Sequence, residues 1–494
     1  MLIAFTIHDL RTDPATQDKL FDFLAARYPV KSLKTDMIGK ILRYLSGYRA
    51  DLAVVAEDRY IDKVYRNSFS HYYSTKLNIY PEYCVRLSFL EPNVDFSNRE
   101  DILAKYLGFM VLRPIDPGVV GRTAVRPQAL TNGNEIMICK SRIRSSILGN
   151  KAFIDAFPHS SQDSEYSTCA ETSIWSLMEY FGNKYPEYNP ILPSQIHEIL
   201  DRKAHERHIP SHGLTYFDIS YVLKNRGFGT MNYYIRRCDL SVHDDTYKYF
   251  RRTFSTYIES GIPLGVAISS LPKTKPFGHA VVCVGRKKID RALISTVPLE
   301  SINGKNFRRW SDVPTEFIFN DDNVGVYQLT SFDNPAPQHK RSDLYISNII
   351  VPLYNKIYID ATRATFLSED FCTRKMSLPD NMIFRTFLAS SNTYMNYIMS
   401  DPVLSDKYKS VLFRLVRLPK FIWVTEISTE GKFVSEEVEG VLILDATEPY
   451  KIGVVYPLFA AYRNENYFYD YESEKCLKNS IPLQFESKSF NNLA

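Results

Sequence analysis

The 494 residues include 34 Tyr and 30 Phe against 20 Gly, and the formal net charge is +4. At 45% hydrophobic and 23% charged, the chain is long and apolar enough for about three packed domains, which excludes a disordered polypeptide. The near-balanced charge supplies no field for gathering nucleic acid or an anionic membrane surface, and no run approaches the ~18 apolar residues of a membrane-spanning helix.

The opening run Met1-Leu2-Ile3-Ala4-Phe5-Thr6-Ile7-His8-Asp9-Leu10 has no basic start and is interrupted by His8 and Asp9. It reads as a first strand rather than a signal peptide. Residues 1–134 then mix strand-like runs at 2–7, 52–55, 84–89 and 109–112 with amphipathic helical patterns around 16–27, 36–47 and 98–106. Pro114 stops the last strand, and Asn132-Gly133-Asn134 reads as an exit linker. This region is expected to be an α/β accessory domain, and no motif in it points to chemistry.

Residues 135–332 place helical patterns first and strands later, the order of an α+β domain. At its centre stands Gln162-Asp163-Ser164-Glu165-Tyr166-Ser167-Thr168-Cys169-Ala170-Glu171. Thr168 and Glu171 fit a capping box, and Ala170, Ile174, Leu177, Met178 and Phe181 recur at helical spacing before Gly182, a stop signal. Cys169 is thus expected to open a buried helix, where unpaired N–H groups and the helix dipole favour a thiolate. A lone cysteine is more often a small core residue. Two downstream segments change that balance. Pro276-Phe277-Gly278-His279-Ala280-Val281-Val282-Cys283-Val284-Gly285 puts a histidine at the mouth of an apolar strand, and Glu316-Phe317-Ile318-Phe319-Asn320-Asp321-Asp322-Asn323 ends a short strand in carboxylates. Cys, then His, then Asp or Asn is the set a thiol hydrolase needs: a thiolate attacks, an imidazole moves the proton, and a third group orients the imidazole.

These segments resemble a papain-fold cysteine peptidase, above all the bacterial double-glycine type that trims leader peptides in bacteriocin export. The resemblance covers about residues 150–330. It runs from a strand into Phe157-Pro158 and Gln162, through the Cys169 helix, to helices opened by Pro193-Ser194-Gln195-Ile196 and Ser211-His212-Gly213-Leu214-Thr215. An amphipathic helix ending at Glu259-Ser260-Gly261, the His279 strand and the Asn320-Asp321-Asp322 strand end complete it. It implies Cys169 as nucleophile, His279 as general base and acid, Asp321 as orienting acid, and Gln162 as oxyanion donor beside the Cys169 N–H. Asp322 and Asn320 stay open as alternatives to Asp321. Ala170 stands where the family has Gly, and the long separation of His279 and Asp321 makes 286–315 read as an insertion near the site.

Residues 333–494 start with the linker-like Asn334-Pro335-Ala336-Pro337. Helical stretches near 381–399 and 407–414, strands at 421–424 and 440–445, and a hairpin turn at Thr429-Glu430-Gly431-Lys432 make a second α/β accessory domain. The seven cysteines, Cys84, Cys139, Cys169, Cys238, Cys283, Cys372 and Cys476, are scattered without the close pairs of a zinc site, so neither metal nor cofactor is expected. A reducing, cytoplasmic setting suits them.

The chain as a whole reads as a cytoplasmic cysteine peptidase acting on a peptide or protein, with the flanking domains available to a regulatory protein partner, and with neither nucleic acid nor membrane as a partner. An acyltransferase or transglutaminase-like enzyme on the same triad, and a silent papain-fold scaffold, are the rivals. His205, His208 and His212 read as surface histidines, His159 as a solvated loop residue, and Trp175 as core packing behind the site. Lys287-Lys288 and Arg308-Arg309 read as solvated surface, and Gly227-Phe228-Gly229 lacks the third glycine of a nucleotide fingerprint.

Overall fold

The computed structural model describes residues 2–28, 37–116, 118–203, 209, 213–236, 244–272, 274–449, 456–479 and 484–493. Helices and largely antiparallel sheets are divided between two compact units. The first comprises Met1–Tyr233, Pro263–Lys287 and Glu316–Pro352, and the second Tyr234–Ile262, Lys288–Thr315 and Leu353–Ala494. These limits do not coincide with the sequence boundaries at 134 and 332, because each unit is assembled from three separate segments of the chain.

In the first unit, β1 (Leu2–Thr6), β2 (Ala53–Tyr60), β3 (Cys84–Leu90), β4 (Tyr106–Leu112) and β5 (Val120–Val125) form an antiparallel meander. Helices α1 (Ile7–Thr12), α2 (Pro14–Ala25), α3 (Met37–Tyr44), α4 (Lys63–His71) and α5 (Arg99–Lys105) occupy its connections. Asp13, Asp62 and Asn98 accept from the first backbone N–H groups of α2, α4 and α5, which fixes where each helix starts. A short strand β6 (Ile136–Ile138) leads to the hairpin β7 (Ser141–Ile147) and β8 (Asn150–Ala156), turned by Leu148 and Gly149 at φ 47° and 78°. Ile143, Ile147 and Ile154 of the hairpin share a core with Val55, Phe109 and Val111 of the meander.

The second sheet of this unit carries the candidate site. Its strands are β9 (Phe228–Tyr234), β10 (Leu264–Ser270), β11 (Gly278–Lys287), β14 (Glu316–Asn320), β15 (Gln328–Ser331) and β16 (Leu344–Tyr354), in the order β15-β14-β11-β10-β16-β9, with β6 also on β11. Helix α6 (Cys169–Lys184) packs on β10 and β11, with α7 (Pro193–Asp201) and α8 (Tyr216–Asn225) beside it. Gly182 does not stop α6, which continues to Lys184. A Cβ at Gly182 would lie 2.3 Å from the Pro190 nitrogen, so this glycine answers to close packing rather than to a helix end. Gly285 is constrained alike: a Cβ there would sit 2.0 Å from the Met137 carbonyl oxygen of β6.

The second unit holds β12 (Glu300–Ile302), β13 (Lys305–Arg309), β17 (Met382–Ser390), β18 (Phe421–Ser428), β20 (Gly440–Asp445), β21 (Phe459–Tyr462), β22 (Glu465–Asp470) and β23 (Lys475–Asn479), paired in that order. Only β13 and β17 among these neighbours run parallel. A two-stranded pair, β19 (Glu437–Val438) and β24 (Ser487–Lys488), and helices α9 (Asp245–Glu259), α10 (Ala361–Lys375), α11 (Ser391–Ser400), α12 (Asp406–Leu415) and α13 (Glu430–Val434) complete the unit. Phe387, Ile398, Tyr408, Ile422 and Phe459 lie in its core.

Three expectations change here. The helix expected over 381–399 begins only at Ser391, because Met382–Ser390 is a strand held between β13 and β18; a short apolar run does not reveal its period. The turn expected at 429–432 is largely α13, although β18 and β20 still pair antiparallel. The stretch 286–315 is not a loop inserted beside the site: Arg286 and Lys287 finish β11, and the rest supplies β12 and β13 to the second unit. Among the described residues, no helix is long and apolar enough to cross a membrane.

Candidate active site

Cys169 is the first residue of α6, directly after the N-cap Thr168. The Glu171 carboxylate accepts from the Thr168 backbone N–H at 3.2 Å and from its hydroxyl, closing the first turn from within. The Cys169 thiol is half-buried, whereas Cys84, Cys139, Cys283 and Cys372 are buried. Asp163 ties the incoming loop. One of its oxygens accepts from the N–H groups of Glu165, Tyr166 and Ser167 at 3.0, 2.8 and 2.8 Å, while Ser164 adopts φ 63°. Behind the loop, the buried Arg113 guanidinium donates to the carbonyls of Gly118, Val120 and Ser161 at 2.7, 3.0 and 2.9 Å. The segment that leads to Gln162 is thereby held to the β4–β5 hairpin.

His279 is the second residue of β11. Antiparallel pairing sets Val282 opposite Asn320 at the end of β14, so the turn beyond Asn320 lies beside His279. The His279 Nε2 is 2.9 Å from Asp321 Oδ1 and 3.6 Å from Asp322 Oδ1. Asp321 Oδ1 also accepts from the Asn323 N–H at 2.9 Å, and Oδ2 accepts from the Gln338 amide. Asn320 instead accepts from the Tyr327 N–H at 2.9 Å. Of the three residues left open as the third group, Asp321 therefore makes the short contact. Cys169 is among the groups that raise the pKa of the imidazole.

His279 is only 7% exposed. Its burial disfavours the charged ring, but the Asp321 charge and hydrogen bond, then Cys169 and Asp322, outweigh it and hold its pKa well above the ordinary histidine value. Burial alone would raise Asp321, yet His279 and its hydrogen bonds pull it below the usual carboxylate range. Asp322, with burial and the Asp321 charge against it, is pushed up to about 7 despite His279. Its Oδ2 is buried and has no hydrogen-bond partner among the described residues.

Gln162 Nε2 donates to Asn323 Oδ1 at 2.8 Å, and Asn323 Nδ2 is 3.3 Å from His279 Nε2. Asn323 thus joins the Gln162 segment to the imidazole, a role with no local sequence signal. Tyr44, at the end of α3, donates its hydroxyl to the Asp322 carbonyl at 2.6 Å, and a Cβ at Gly325 would lie 2.4 Å from the Tyr44 carbonyl oxygen. The N-terminal region therefore braces the turn that carries Asp321.

Other expectations are corrected. His159 is not solvated: it is 2% exposed, and burial pushes its pKa down to about 4 against the pull of Asp321. Arg309 is buried too, paired with Glu369 and Glu300. Lys287 lies near Glu135 and Glu316 at 3.4 and 3.6 Å. Trp175 is buried in α6, in keeping with its reading as core packing. His205, His208, His212 and Cys238 lie outside the described residues.

No protein-family model matches this chain, and no curated protein matches it. Among solved structures, it is similar to the crystal structure of the peptidase domain of Streptococcus ComA, a bi-functional ABC transporter involved in a quorum sensing pathway. The identity is 14%, over 37% of this chain and 90% of that one, at a TM-score of 0.20. A likeness at that score decides neither fold nor activity.

Proposed function

We propose that this chain is a cysteine peptidase of papain-like fold, cleaving a peptide or amide bond through an acyl-enzyme in a reducing compartment. The observation that carries this reading is the 2.9 Å contact of His279 with the buried Asp321 carboxylate, together with the half-buried Cys169 thiol at the head of α6, which helps to raise the imidazole pKa. In the cycle, Cys169 Sγ attacks the substrate carbonyl and His279 passes a proton to the leaving amine. Water, deprotonated by His279, then attacks the thioester and releases the acid. Asp321 holds the ring and offsets its charge. The Cys169 N–H and the second N–H of the Gln162 amide serve the oxyanion. Residues 135–332 carry the chemistry in this reading, while the flanks 1–134 and 333–494 contribute supports such as Tyr44 and Gln338.

The test is cleavage of a mixed peptide library by the full chain and by Cys169→Ala, read by mass spectrometry, with and without an added primary amine. Cleavage lost in the variant, with acid products in the presence of amine, supports hydrolysis. Amide products would move the assignment to acyl transfer, and cleavage undiminished in Cys169→Ala would sink both.

A further inference from the structure

A second imidazole stands beside the triad. His339 closes the short helical turn Pro337–His339, and its ring centroid is 5.6 Å from that of His279 at an interplanar angle of 74°. Phe277 packs edge-on against both rings, 6.1 Å from His279 and 4.8 Å from His339, and so restrains them. One ligand atom each of His279, Asp321 and His339 lies within 4.8 Å of the others. The His339 Nε2 is shielded from solvent and has no hydrogen-bond partner among the described residues. A shielded nitrogen in that state is costly until something coordinates or hydrogen-bonds it.

We propose that His279, Asp321 and His339 bind a borderline-soft divalent cation, Zn2+ foremost, and that this ion reversibly closes the Cys169 centre. Two imidazoles and one carboxylate are a ligand set suited to zinc, with a fourth position left for water. Bonds of ~2.0–2.1 Å in tetrahedral geometry put ligand atoms about 3.3 Å apart. The 2.9 Å His279–Asp321 contact therefore needs to open only slightly, with the proton between the two released to solvent. Gln338, bonded to the second Asp321 oxygen, is placed as the outer partner that orients a ligating carboxylate. Mg2+ and Ca2+ are poor fits, since one carboxylate falls short of the oxygen shell they require. Occupancy would take His279 and Asp321 away from proton transfer. The ion's binding itself needs only the three side chains and does not rest on the peptidase reading.

The test uses the full-length chain, reduced and freed of metal, titrated with Zn2+ alone in competition with a chromophoric chelator. Wild type is compared with His339→Ala and with His339→Gln, which keeps a polar side chain without an imidazole; circular dichroism checks that both fold. One Zn2+ bound per chain, with affinity falling about tenfold or more in both variants and no competition from Mg2+, is the expected result. No stoichiometric uptake by wild type, or equal affinity in all three proteins, would overturn the site. Because the readout is binding, its failure leaves the Cys169→Ala cleavage test untouched, and the reverse holds equally.

Discussion

His279 Nε2 lies 2.9 Å from Asp321 Oδ1, although most of the chain between them, Lys288–Thr315, belongs to the other compact unit. The pair is made by strand adjacency. β11 and β14 are hydrogen-bonded neighbours, so whatever the connection does, the start of one strand meets the end of the other.

The thiol at the head of α6 should be the most reactive described cysteine. Iodoacetamide should alkylate Cys169 at least about tenfold faster than Cys476, the other cysteine among the described residues that is not fully buried. His279→Ala should remove that advantage, as read by peptide mass spectrometry. Equal rates for the two cysteines in wild type would argue against an assembled pair.

Replacing Asp321 with Asn keeps a hydrogen-bonding side chain but removes the charge. The imidazole then keeps its burial penalty and loses its main counter-charge, so its pKa should fall, visible in an NMR titration of the ring proton. Turnover should drop on the order of 10²–10⁴-fold. An unchanged titration would mean that Asp321 is not the group supporting the ring.

Asp322 offers a pH test of stability. In the folded chain it keeps its proton up to about pH 7, whereas an unperturbed aspartate loses it near ~4. The unfolded state sheds that proton first, so Asp322 makes stability fall as pH rises between those values. His279 faces it, and its raised pKa supplies stability that is lost as pH climbs through the folded value. Asp321, with its lowered pKa, supplies stability lost as pH falls through its own. Asp322→Asn should flatten the decline from about pH 4 to 7 and raise stability at pH 8 by on the order of 1–3 kcal/mol. Urea melts across that range with identical slopes in both proteins would refute it.

Tyr44→Phe removes the 2.6 Å hydrogen bond to the Asp322 carbonyl and nothing else of the side chain's bulk. A cost of about 1–2 kcal/mol is expected, with turnover reduced more than substrate affinity, because the turn that aims Asp321 loosens. Unaltered stability and kinetics would make the contact incidental.

Gly285 and Gly278 provide a contrast within one strand. A Cβ at Gly285 meets backbone at 2.0 Å, while one at Gly278 meets nothing within 4 Å. Gly285→Ala should cost about 1–3 kcal/mol in a urea melt, and Gly278→Ala should be close to neutral.

The residues with local signatures were legible in the chain. Thr168 and Glu171 mark where α6 starts, and that start puts Cys169 at its head. His279 follows Gly278 at the mouth of an apolar strand, and Asp321 follows the last residue of another. Capping chemistry and hydrophobic period are properties of a few neighbouring residues, so sequence alone could determine them. Gly182 was misread because helix stop and close packing call for the same residue, and 382–390 because a short buried strand has no visible period.

Only the tertiary structure decided what converges on the site. Tyr44, Asn323, Gln338 and His339 carry no pattern of their own; they matter because folding brings a helix end, a turn and a later short helix to one imidazole. The burial of His159 and the assembly of each unit from separate chain segments are of the same kind. Such contacts depend on which strands pair and which surfaces close over them, and local periodicity records only which face of each element is apolar.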